Sequence, residues 1–504
     1  MVASSRVQQH RRRHRKPRIL ICTPEVTELP EGMGNAANYI RAKGGGLGDI
    51  SAGLIRHLFE DGRFQLHVVL PKYDHKFRDL AHFGARELDL LVPLLSRKGV
   101  HLVSDSAFSY LEGVYDEDSA HPRVRRAQAF QRHIINQLLD ELQPDLVHAN
   151  DWMTGLIPAA ARAKGIKSLF TLHNVFTEKE TPRNLDRGGI DVRRFINLFY
   201  FERYPHDSLD TWENNRIDFL ASGLMGADAV NTVSKTFLQE IVEGAFGDLI
   251  PDSVREVVRE KYAEGRAFGI INAPNDTVDP RFARHSTPYD EDDVMEKKRL
   301  NKVMLQERMG LRAEPDAPLF FWPSRLYGQK GPELLAAVAP RLIASAGIQV
   351  AVVANGDAAI ERAYRLLAVR SAGRFAIRPF TEDLSELAKA GADFVLMPSR
   401  YEPCGLPQME GPRFGTLPVA RLTGGLRDTV QELDIMQGTG NGFVFEPYTS
   451  SALELAMRRA VEFTALAPEH RHEIIRRVMR ESHEHFNLNR TAKAYTEIYE
   501  SLLE

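Results

Sequence analysis

The residues best suited to chemistry gather between positions 399 and 425. Glu402 lies in the run Ser399-Arg400-Tyr401-Glu402-Pro403-Cys404-Gly405-Leu406. Proline and glycine fix that loop, and a carboxylate held there offers two acceptors to two vicinal sugar hydroxyls. Glu410, eight positions on, either accepts from ribose hydroxyls or is an exposed helix residue. Thr423-Gly424-Gly425 bares backbone amides for a phosphate or sugar oxygen. Upstream, Arg325 and Lys330 share a loop with Gly328 and Gly331. A planar guanidinium fork and a compact ammonium together suit a diphosphate.

Such groups need strand ends to carry them. Short apolar runs bounded by turn residues read as strands at 319–322, 349–354, 375–379, 394–397, 417–420 and 442–445. Helical patterns separate them, among them a long one at 293–309. An earlier series reads as strands at 18–23, 65–70, 145–149, 168–172 and 229–232, with helical patterns at 124–142, 153–164 and 215–225, and Ser234 capping the next helix. This alternation predicts α/β architecture with two doubly wound, Rossmann-like parallel sheets facing a cleft. Asp151 and His173 both follow strands of the first series. Lys43-Gly44-Gly45-Gly46-Leu47-Gly48-Asp49 precedes a helical pattern and is either an anion cradle or a plain tight turn. Its glycine intervals fit neither the dinucleotide nor the Walker loop.

The charged helical segment 243–265 reads as the passage between domains, with a fresh series starting at 268–272. The expected division is a basic disordered arm over 1–17, an amino-terminal domain over 18–262, a nucleotide-sugar domain over 263–485 and a final helix over 486–504. A length of 504 residues exceeds what one hydrophobic core sustains, ~250–300 residues. A net charge of -3 disfavours a nucleic-acid partner. Two cysteines, Cys22 and Cys404, build neither a disulfide framework nor a metal cluster, which fits the cytoplasm. No stretch approaches the ~18 apolar residues of a membrane span, so no membrane partner is expected.

Taken in order, KGGGLGD at 43, HANDW at 148, TLHN at 171, the Arg325/Lys330 pair, SRYEPCGLPQ at 399 and RLTGGLRDTV at 421 resemble the motif set of bacterial and plant glycogen/starch synthases. These are retaining glucosyltransferases of the GT-B fold. The closing NRTAKAYTEIYESLL is similar to that family's helix crossing back to the amino-terminal domain. The resemblance makes 18–262 the acceptor domain and implies that Lys43, Gly45 and Gly46 meet the nucleotide diphosphate and the acceptor side, and that Arg325 and Lys330 meet the diphosphate. Glu402 would bind the donor glucose, and Asp151, His173 and Asn272 would line the glucose subsite. Cys404, Gly405 and Leu406 complete the implied binding turn.

Four departures mark this chain. Asn272-Ala273-Pro274-Asn275-Asp276 replaces an Asn-Gly-Ile-Asp turn, and Asn150-Asp151-Trp152-Met153 replaces a histidine-flanked tryptophan element. Phe380 stands where a tyrosine stacks on the base. Glu410 stands where the bacterial enzymes usually carry tyrosine and the wider retaining group carries glutamate. These departures leave the donor open between ADP-glucose and UDP-glucose.

The implied reaction transfers glucose to the 4-hydroxyl of an α-1,4-glucan with retention and requires no metal or permanent cofactor. Retention by a carboxylate nucleophile would fall to Asp151; front-face attack assisted by the leaving phosphate is favoured. Alternatives are a transferase with a small-molecule acceptor, a nucleotide-sugar epimerase of the same fold, and an inactive binding protein. Oligomerisation is left open.

Overall fold

The structure is a computed structural model and describes residues 15–34, 40–74, 77, 85–111, 114 and 122–504. The expected basic arm thus lies outside the described residues except for 15–17. Two compact units emerge, one of residues 1–233, 238–270 and 488–504, the other of 234–237 and 271–487.

The first unit is built on strands β1 (Arg18–Cys22), β2 (Gln65–Pro71), β3 (Val100–Val103), β4 (Leu146–Asn150) and β5 (Lys167–Leu172). A small antiparallel pair, β6 (Lys179–Glu180) and β7 (Ile217–Asp218), follows, and then β8 (Ala229–Thr232) and β9 (Ala267–Gly269). Seven strands run parallel in the order β3-β2-β1-β4-β5-β8-β9. Helix α1 (Gly46–Asp61) follows the glycine loop, and α2 (Asp252–Ala263) is the crossover between β8 and β9.

That crossover corrects two expectations. Segment 243–265 is no passage between domains: α2 buries Val254, Val257 and Val258, and Lys261 Nζ donates to Ala227 O at 2.6 Å. The run at 268 starts no new sheet, because β9 pairs with β8 in register Val230↔Ala267. The chain therefore leaves the first unit at 270/271 rather than 262/263. It misleads because β9 is a three-residue edge strand whose side chains are partly exposed, so its pattern carries little apolar signal. The helix expected at 215–225 begins only at Phe219, where Asp218 accepts from Ala221 N at 3.0 Å as its cap.

The second unit holds six parallel strands in the order β12-β11-β10-β13-β14-β15. These are β10 (Leu319–Trp322), β11 (Gln349–Val353), β12 (Phe375–Arg378), β13 (Phe394–Met397), β14 (Leu417–Arg421) and β15 (Phe443–Phe445). Phe320, Trp322, Val350, Phe394 and Val419 point into one core, and Leu319, Phe321, Ala351 and Val395 into another. Both faces are covered, which is why these strands read as unbroken apolar runs. Around them run α3 (Val294–Met309), α4 (Glu382–Gly391), α5 (Pro407–Arg413), α6 (Gly424–Thr429) and α7 (Pro468–His485).

Helix α8 (Leu488–Leu503) then returns to the first unit and buries Leu488, Tyr495 and Tyr499 there. Tyr499 Oη lies 2.7 Å from Nδ1 of His148 on β4, and Asn231 on β8 donates to Tyr495 Oη at 2.9 Å. Two polar residues inside the sheet thus gain partners from a distant segment. No helix among the described residues is long and apolar enough to cross a membrane.

Candidate active site

In both units the chemistry-bearing groups sit where strands end. In the second, β10 hands over to the loop carrying Arg325 and Lys330, and β13 to the loop carrying Glu402. Gln329 O accepts from Arg400 N at 2.8 Å, which ties the loops together. Lys330 Nζ meets Glu402 Oε2 at 2.6 Å, and Ser399 Oγ donates to the same oxygen at 2.9 Å. Glu402 is 5% exposed and Lys330 22%, so the pair is a buried carboxylate with a cation at its rim. Gly331 permits this approach. It takes φ +76°, and a Cβ there would lie 2.3 Å from Pro398 O.

The β14 loop locks onto the same turn. Gly425 N donates to Glu402 O at 3.0 Å, and Gly424, at φ +46°, would place a Cβ 1.9 Å from that oxygen. Gln408 Nε2 donates to Cys404 O, Gly405 O and Thr429 Oγ1 at 3.0, 3.0 and 3.1 Å. This pins the turn formed by Cys404, Gly405 and Leu406 between the two loops. The Cys404 thiol is buried, which pushes its pKa up and leaves it unreactive. Asn272 is 4% exposed, and its Oδ1 is buried with no hydrogen-bond partner among the described residues, an acceptor awaiting a donor.

Four more expected residues fall on this unit. Arg325 is exposed on the β10 loop. Phe380 is 44% exposed just after β12, its amide donated to Asn355 Oδ1 at 3.1 Å, so its ring face is available for stacking. Glu410 is not an exposed helix residue. Lys389 Nζ, from α4, meets its Oε2 at 2.9 Å, and both side chains are 17% exposed. Thr423 is the extended residue before α6.

In the first unit two amides of the glycine loop are taken by one of the protein's own carboxylates. Glu25 Oε2 accepts from Gly44 N and, at 2.7 Å, from Gly45 N. Lys43 pairs with Asp49 at 3.0 Å, and Gly46 opens α1. Sequence reasoning overlooked Glu25, although the signal was present: it stands just past the end of β1, the kind of position that singled out Asp151 and His173. Ser399, Gln408 and Lys389 were likewise missed.

Asp151 follows β4 with φ +60°, a backbone state unusual outside glycine. Its Oδ1 accepts from His173 N at 3.1 Å and Asn174 N at 3.3 Å. Withdrawal from water nevertheless pushes its pKa up to about 7, the two amides opposing and Glu25 reinforcing the shift. His173 Nε2 lies 3.0 Å from Asn150 Oδ1, while Asn150 Nδ2 donates to Cys22 O at 3.1 Å. That second bond orients the amide, so His173 carries its proton on Nε2 and presents Nδ1 as an acceptor. Burial lowers its pKa to about 3, so the ring is neutral.

Two parallel α/β sheets with polar groups at their strand ends place those groups where open α/β folds bind ligands. The catalytic domain of starch synthase IV from Arabidopsis thaliana, solved bound to ADP and acarbose, superposes with a TM-score of 0.77 at 24% identity, covering 97% of this chain and 100% of that one. Residues 18–256 match the starch synthase catalytic domain and residues 306–479 the group 1 glycosyl transferases. The glycogen synthase of Moorella thermoacetica is 30% identical over 97% of each chain, and that of Anaeromyxobacter sp. is 34% identical over 92% of this chain and 97% of its own. The chain belongs to the glycogen synthase family, enzymes that transfer glucose.

Proposed function

We propose that this chain transfers glucose from ADP-glucose or UDP-glucose to the non-reducing 4-hydroxyl of an α-1,4-glucan, with retention at the anomeric carbon. The observation that carries the reading is the Lys330–Glu402 pair at 2.6 Å, a cation and a carboxylate delivered side by side by two strand ends. Glu402 accepts from the donor's glucose hydroxyls, and Lys330 with Arg325 takes the diphosphate. Charge builds on the leaving diphosphate as the sugar becomes oxocarbenium-like. Cations already in place therefore stabilise the transition state more than the ground state. Asn272 Oδ1, buried without a partner among the described residues, accepts a glucose hydroxyl.

Glu410 reads the ribose hydroxyls and Phe380 stacks on the base. In the first unit, Asp151 and His173 hold glucose hydroxyls, and Lys43 with Gly45 and Gly46 serves the diphosphate and acceptor side. That last assignment requires Glu25 to yield the Gly45 amide it now holds. Asp151 is poorly suited to attack carbon: one oxygen is taken by two amides and the group is about half protonated near neutrality. Front-face attack assisted by the departing phosphate therefore accounts better for retention. Two unpaired buried thiols fit a cytoplasmic setting.

The test is a donor panel of ADP-glucose against UDP-glucose with glycogen and a maltooligosaccharide as acceptors. Growth of the glucan by α-1,4-linked glucose supports the reading. Transfer only to a small non-glucan acceptor, or epimerised sugar released from donor alone, sinks it.

A further inference from the structure

The donor loops leave the carboxyl ends of the second sheet. At its opposite edge, where Asp393 and Phe394 open β13 and Leu417 opens β14, lies a separate cavity of about 330 Å³. Helix α3 lines it with Lys298, Arg299 and Lys302, and α7 contributes Arg471. Asp316 and Asp393 are its two carboxylates, and Phe394 and Phe463 supply an apolar floor.

The cations are engaged to different degrees. Lys302 Nζ meets Asp393 Oδ2 at 2.6 Å, and the same oxygen accepts from Leu319 N at 2.7 Å, so this pair fastens α3 to the sheet. Lys298 donates to Phe414 O at 3.1 Å, Ala390 O at 3.2 Å and the Thr416 hydroxyl, and burial lowers its pKa to about 7. Arg299 pairs with Asp316 at 2.6 Å, but both are more than half exposed, a pairing easily exchanged. Arg471 differs: its Nε is buried with no hydrogen-bond partner among the described residues. A buried guanidinium donor left unsatisfied in a cavity with a surplus of cations points to a missing anion.

We propose that this cavity binds a small phosphate monoester or free phosphate, the dianion being held by Arg471 and Arg299. A guanidinium fork matches two phosphate oxygens, and Arg299 can exchange the exposed carboxylate of Asp316 for the ligand. The body of an ester lies on the Phe394–Phe463 floor. The site shares no residue with the donor loops, so it stands whether or not the donor assignment does.

Calorimetric titration of the full chain with inorganic phosphate and with glycerol 3-phosphate tests this. Binding is expected to survive Lys330→Ala and to weaken roughly tenfold or more in Arg471→Met. Arg299→Met, which leaves α7 untouched, is expected to weaken it too and guards against a folding defect in the first variant. Tighter binding of the ester assigns an organic phosphate, and equal binding assigns inorganic phosphate. Absence of heat with either probe up to ~10 mM, or binding lost in Lys330→Ala yet kept in both arginine variants, overturns the proposal.

Discussion

Lys330 and Glu402 stand 72 positions apart in the chain, yet their charged atoms lie 2.6 Å apart, the ammonium at the rim and the carboxylate inside. Replacing Lys330 by alanine removes a preplaced cation from the proposed leaving group and leaves the Glu402 carboxylate, among the described residues, with the Ser399 hydroxyl. Turnover should fall about 10², near 3 kcal/mol of barrier, with the fold kept. Glu402→Ala should behave alike. Glucose incorporation into glycogen measures both, and near-normal rates in either would remove the pair from the mechanism.

Gly424→Ala is expected to be damaging beyond its size. The added Cβ would overlap Glu402 O at 1.9 Å in a backbone state that L-residues disfavour. The loop bearing Glu402 must shift, so activity should drop at least tenfold with a loss of ~1–3 kcal/mol in denaturant unfolding. A variant with ordinary activity would show that the loop position does not matter.

Glu410 with Lys389 separates a binding role from a structural one. If Glu410 accepts from ribose, Glu410→Ala should raise the donor KM roughly tenfold or more, equally for ADP-glucose and UDP-glucose, with kcat little changed. A lower melting temperature with an unaltered KM would make the Lys389 bond its whole purpose.

Asp151 should leave a signature in stability against pH. Its folded pKa, about 7, lies above its ordinary 3.8. Its contribution is therefore intact below about pH 4 and is lost as pH rises through 7. Asp151→Asn keeps an Oδ1 for the amides of His173 and Asn174 and cannot ionise. It should gain stability over the parent progressively from about pH 4 to 7 and level off above that, by at most on the order of 4 kcal/mol. His148 and His173, both lowered to about 3, act in the opposite direction: their contribution is present above about 6.5 and is lost as pH falls toward 3. Denaturant melts across this range give both slopes, and a flat difference between variant and parent would refute the buried-acid assignment.

Much of this was legible because strands covered on both faces print as apolar runs, and the residues just past them carry the chemistry. Phe394–Met397 and the Glu402 loop were read that way, as were Asp151 and His173. What stayed hidden was pairing. Nothing local couples Lys389 to Glu410 or Glu25 to the Gly44 and Gly45 amides, since each bond joins segments about twenty positions apart. The border at 270/271 was misplaced for a related reason: β9 is recognisable as a strand by its partner β8 and hardly by its own side chains.

Helix α8 completes the core of a unit whose strands all precede residue 271. Topologically the bulk of the second unit, residues 271–487, is an insertion in a host that closes only when 488–503 arrive. On the ribosome the half synthesised first is thus the half finished last, with His148 and Asn231 waiting for Tyr499 and Tyr495 while an entire domain folds downstream.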